Sequence, residues 1–197
     1  NMLSAYYSRG CDSKELFQNL EIAEDDQFET YLNQYDVIFL NVQEFLSQSK
    51  NIDEMISLIR RSVLWDLLGE YPEFRYFDTS NLTRTMQDVY QQTKCPFVVI
   101  IDEWDCIVRN SGDEKLVHKY LQFLHSLFKS EESKSFLALA YITGILPIKK
   151  IKDESALNNF TEYTMIKSKP ITQYYGFTED EVKDLCKQYD MDFDSMK

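Results

Sequence analysis

The chain has 197 residues, enough for one α/β domain with a filled core and a small appendage, and its 5 glycines and 4 prolines argue against a long disordered linker. A formal net charge of −12 argues against broad electrostatic binding to nucleic acid or an anionic membrane. Cys11, Cys95, Cys106 and Cys186 are scattered, which argues against zinc and against a secreted disulfide scaffold; with no signal peptide and no apolar run of spanning length, the expected compartment is a reducing cytoplasm.

The first residues, Asn1-Met2-Leu3-Ser4-Ala5-Tyr6-Tyr7, read as the interior of a helix, so the chain is expected to be a fragment. A strand is expected over 36–42 (Asp-Val-Ile-Phe-Leu-Asn-Val). A helix follows over 52–68: Ile52, Met55, Ile56, Ile59, Val63 and Leu67 recur at helical spacing, and Asn51 with Glu54 resembles a capping box. The pattern breaks at Pro72, and a second helix is expected over 82–92, with Leu82, Met86, Val89 and Tyr90 on one face.

Phe97 to Asp105 read Phe-Val-Val-Ile-Ile-Asp-Glu-Trp-Asp. Five apolar residues in a row describe a parallel strand covered on both faces, and the acids that end it belong at the sheet rim, where ligands of open α/β sheets bind. A turn is expected at Asn110-Ser111-Gly112, then a helix over 114–129 burying Leu116, Tyr120, Phe123, Leu124 and Leu127. A further apolar strand runs from Phe136 to Thr143 and Gly144; beyond it, a short strand over 162–166 and a helix from the Thr178–Glu181 capping box to Tyr189 are expected. Strands alternating with helices imply an α/β fold, a parallel sheet sandwiched by helices.

The acidic strand end has the pattern of a Walker B strand. Asp102 is the candidate metal residue, because Mg²⁺ keeps most of its water and needs only one or two carboxylates. Glu103 is the candidate to orient or deprotonate an attacking water. Both have a plainer alternative as solvated caps of the next turn. Asp105 is a candidate cofactor contact, with an ion pair or helix cap as its alternative; Trp104 reads as packing. Thr143 could sense a γ-phosphate or simply bond the backbone at its strand end, and Gly144 reads as a turn residue. Lys149, Lys150 and Lys152 form a small basic run that reads as a solvated face. His118 and His125 lie seven apart on one helix face with no third ligand, and Arg60, Arg61, Arg75, Arg84 and Arg109 are equal candidates for an arginine finger. No Gly-x-x-x-x-Gly-Lys-[Ser/Thr] loop occurs in the chain.

Several segments together resemble the AAA-ATPase-like domain family of bacterial P-loop proteins. They are Met2-Leu3-Ser4, Tyr35 to Ile38, Leu40 to Gln43, Ile100 to Asp105, Ala140-Tyr-Ile-Thr-Gly-Ile-Leu-Pro-Ile-Lys149, Ser155 to Asn158, and Tyr175 to Glu179. The resemblance spans nearly the whole chain in order and implies a P-loop NTPase-like fold missing its first strand and phosphate loop. It implies a core over 1–168 and a helical extension, or the start of a lid, over 169–197. It implies a parent ATPase using ATP and Mg²⁺, with Asp102 at the metal, Glu103 at the water and Thr143 in the sensor position, acting as a switch for a partner or a linked nuclease-like module. The isolated fragment is expected to bind no cofactor and to be inactive. Loss of the first strand would leave the Thr143 strand as an open edge, so a homodimer through that edge, or distortion around 162–166, is expected. The competing reading is a non-enzymatic interaction module with a degenerate nucleotide site; a carboxylate-metal nuclease lacks its partner Lys and second acid.

Overall fold

The computed structural model describes residues 2–111, 113–147, 157–164 and 176–196. Gly112, Lys149, Lys150, Lys152 and the far end of the expected 162–166 strand lie outside them. Its contacts divide the chain into two compact units, residues 1–159 and 160–197.

The first unit is built on three parallel strands, β1 (Asp36–Asn41), β2 (Phe97–Asp102) and β3 (Leu137–Ile142), in the order β1-β2-β3. The central strand is covered on both faces, as its unbroken apolar run requires: Phe97 to Ile101 are each at most 2% exposed. The outer strands are not equally covered. Val37–Val98–Leu139 and Phe39–Ile100–Tyr141 form successive rows on one face, and there Phe39 is 41% and Leu139 37% exposed. On the other face Phe97, Val99 and Ile101 are sealed, and the Phe97 ring meets Phe136 edge-on at 5.8 Å. The β2–β3 pairing slips between Phe97 and Val98: Leu137 stands opposite Phe97 but Leu139 opposite Val98, leaving Ala138 as an extra residue.

The long helices follow their apolar spacing. α5 (Ile52–Glu70) buries Met55, Ile59 and Val63, and Asn51 caps it by accepting from the Glu54 amide at 2.9 Å. The reciprocal Glu54 bond goes one residue further back, to the Lys50 amide at 2.8 Å. α6 (Leu82–Thr93) ends at Lys94 in the left-handed conformation (φ 60°), and α8 (Glu114–Phe128) buries Tyr120, Phe123, Leu124 and Leu127. α5 packs on α6 and α8. Short helices fill the connections: α1 (Met2–Tyr7), α2 (Lys14–Phe17), α3 (Phe28–Tyr31), α4 (Val42–Ser47), α7 (Cys106–Asn110) and α9 (Glu131–Phe136). α1 and the segment through α3 close a separate small core of Tyr6, Phe17, Phe28 and Leu32. Phe136, expected to open the third strand, instead ends α9, whose Ser130 cap accepts from the Ser133 amide at 3.1 Å.

The second unit contains α10 (Glu179–Gln188), opened by the complete Thr178–Glu181 capping box. No helix among the described residues is long and apolar enough to cross a membrane.

Candidate functional site

β2 delivers its last residue, Asp102, to the carboxyl end of the sheet, and the chain turns at once. Glu103 takes the left-handed conformation (φ 55°), which costs a side-chain-bearing residue about 1–2 kcal/mol and marks a turn set by its surroundings. Asp102 Oδ1 accepts from the Glu103 amide at 3.1 Å and from the Thr143 hydroxyl at 2.5 Å. Its Oδ2 has no partner among the described residues, so one carboxylate oxygen is oriented and the other left open. Thr143 sits just past β3, on the same sheet face as Asp102. Its amide continues the ladder to Ile101 O at 2.8 Å, and its carbonyl accepts from the Trp104 amide at 3.1 Å.

Asp105 is different in kind. It is 0% exposed, and its Oδ2 gathers Arg109 Nε at 3.0 Å, the Ile145 amide at 3.2 Å and the Leu146 amide at 2.7 Å. Its Oδ1 is buried with no hydrogen-bond partner in the described structure and lies against Gly144: a Cβ on that glycine would meet it at 2.5 Å and the Trp104 ring at 2.6 Å. Gly144 is not in the left-handed region; it is needed for close approach, whereas its sequence pattern suggested only a turn. Trp104 is buried, as expected of a packing residue.

Two further residues belong here: Arg109, which the sequence offers as one of five equal arginine-finger candidates, and Asn41, to which it assigns no role. Arg109, one helical turn after Asp105, donates its Nη2 to Glu103 Oε2 at 2.5 Å as well as its Nε to Asp105. The i,i+4 spacing from an acid on a helix was the only available signal. Asn41 pairs in register with Asp102 and caps α4 by accepting from the Glu44 amide at 3.1 Å. Burial raises the Cys106 thiol to about 11, so it stays neutral and offers no nucleophile near pH 7.

The remaining candidates lie elsewhere. Arg60 stacks over Phe123 at 5.4 Å, and Arg84 over Phe77 at 4.8 Å while pairing with Asp88. Both line a cavity of about 420 Å³ that shares no residue with the Asp102–Thr143 cluster. Among the described residues no group of three or more His, Cys, Asp or Glu could hold a metal ion, so His118 and His125 find no third ligand. A centre of one carboxylate and one hydroxyl suits a cation that brings most of its own ligands, as Mg²⁺ does with phosphate and water.

The AAA-ATPase-like family model, described as predicted AAA-ATPase, matches residues 1–152. Comparison with curated proteins and with solved structures gave no match.

Proposed function

The chain belongs to the family of predicted AAA-ATPases, and from that premise we propose that it forms the metal- and water-handling half of a site that binds and hydrolyses ATP. The observation that carries this reading is Asp102: a carboxylate at the end of the sealed central strand, one oxygen fixed by Thr143 and the Glu103 amide, the other open. Asp102, with Thr143 beside it, would hold Mg²⁺, and bound Mg²⁺–ATP supplies the phosphoryl group and the charge that the metal neutralises. Thr143 keeps the Asp102 carboxylate in one orientation. Glu103, with 38% of its side chain exposed, is the base that orients water or takes its proton. Asp105 lies too deep to touch a nucleotide and acts by position, joining the acidic turn to the segment after β3. The reading requires a phosphate-binding element from outside these 197 residues, since they contain no such loop.

The test is Mg²⁺-dependent ATP turnover by the full-length protein beside its Glu103→Gln variant. Turnover that drops by about 10²–10⁴-fold in the variant, with nucleotide still bound, supports the assignment. Unchanged turnover removes Glu103 from the chemistry. The second reading, a non-enzymatic interaction module, draws support from the Glu103–Arg109 pair, which occupies the carboxylate. Absence of nucleotide binding by the full-length protein would favour it.

A further inference from the structure

Glu103 is held by an arginine that has a second obligation. Arg109 spreads one guanidinium across two carboxylates: Nη2 on Glu103 Oε2 at 2.5 Å and Nε on Asp105 Oδ2 at 3.0 Å. The carboxylates differ in setting, since the Glu103 side chain is 38% exposed and that of Asp105 is sealed. The same Asp105 oxygen that takes Arg109 also takes the amides of Ile145 and Leu146. Two residues earlier, Thr143 bonds Asp102 through its hydroxyl and Trp104 through its carbonyl. A continuous path of hydrogen bonds therefore runs from the segment after β3, through a buried carboxylate and one planar cation, to the tip of Glu103.

Planarity matters here. The guanidinium fork fixes the two carboxylates relative to one another, which the point charge of a lysine cannot do. Burial matters too, because Asp105 without its cation becomes an uncompensated charge in the interior.

We propose that Arg109 is a positioning residue that couples the Glu103 carboxylate to the Thr143–Leu146 segment through Asp105, so that displacing this segment redirects Glu103. Its catalytic consequence rests on the ATPase reading; the coupling itself does not.

The experiment uses the full-length protein with Arg109→Ala, Arg109→Lys and Glu103→Gln/Arg109→Ala, and reads two quantities. The first, without nucleotide, is amide hydrogen exchange of the peptide carrying Ile145 and Leu146. Arg109→Ala is expected to speed it about threefold or more, whereas Arg109→Lys, which keeps a cation for Asp105, stays near the wild type. Unchanged exchange in the alanine variant overturns the coupling. The second is steady-state turnover of Mg²⁺–ATP. Arg109→Lys is expected to lower kcat about tenfold or more at unchanged KM, because Glu103 loses its orientation while the fold is kept. Arg109→Ala should add nothing once Glu103 is already glutamine. A lysine variant with kcat within about twofold of an active wild type overturns the positioning role. A wild type that neither binds nor hydrolyses ATP fails the ATPase reading alone, and amide exchange then decides the coupling. If the alanine variant does not fold, the lysine variant decides the positioning role, and Asp105→Asn replaces alanine in the exchange measurement with the same expected rise.

Discussion

A buried carboxylate with one oxygen crowded by three donors and the other pressed on a glycine leaves little freedom at either residue. Asp105 is fixed by Arg109 and two backbone amides, so it cannot yield when something grows beside it. Gly144→Ala would place a Cβ 2.5 Å from Asp105 Oδ1 and 2.7 Å from Trp104 Nε1, inside contact distance of two sealed side chains. We expect a loss of about 1–3 kcal/mol from overpacking. Thermal unfolding checks it: Tm should fall by several degrees. An unchanged Tm would mean that the turn can shift as a body. Glycine at the end of an apolar strand was visible in the sequence; that it serves space and not backbone freedom was not, because the crowding comes from residues forty positions away in the chain.

At the level of the elements, the same apolar composition has two outcomes. β2 and β3 both read as continuously apolar, yet among the described residues only β2 has neighbours on both edges and cover on both faces. Ile101→Ala should cost about 2–5 kcal/mol, whereas Leu139→Ala, at a position 37% exposed, should cost well under half of that. Urea unfolding of the two variants measures the difference, and equal losses would contradict the unequal cover. The three strands were legible as bounded apolar runs, α5, α6 and α8 because each is long enough for its helical period to repeat, and α10 by its capping box. The short helices α2, α3, α4, α7 and α9 were not, since a turn or two carries no period. The candidate site was legible in part for the same reason. Asp102, Glu103 and Thr143 stand where strands end, which sequence marks well. The bridge through Arg109 depends on how a five-residue helix aims one side chain, and no local pattern encodes that.

At the scale of the whole molecule, the four thiols form a graded set. Cys11 is exposed, whereas Cys95, Cys106 and Cys186 are buried. Burial raises Cys95 above its ordinary value of 9.0 and Cys106 to about 11. A thiol-reactive disulfide reagent at about pH 8, just below the ordinary cysteine pKa, should therefore label one cysteine quickly and the other three only on unfolding. The sign with pH follows. The unfolded chain releases the Cys106 proton near 9.0 and the folded chain near 11, so the contribution of the neutral thiol is whole below 9 and is lost as pH rises through 11. Four fast thiols in the native protein would contradict the burial.

The extra residue at Ala138 has a consequence for how the chain can vary. Side chains of a strand alternate, so one inserted position reverses the phase of everything after it. With Ala138 outside the count, Ile142 stands opposite Ile101 and Thr143 falls in the row of Asp102. Were Ala138 paired with Val98 instead, Leu137 keeping its place, Ile142 would occupy that row and bring a methyl where the hydroxyl now meets the carboxylate. Deleting Ala138 with Leu137 still opposite Phe97 would leave every later pair as it is, so the row of Asp102 and Thr143 depends on this residue staying out of the ladder and not on its side chain.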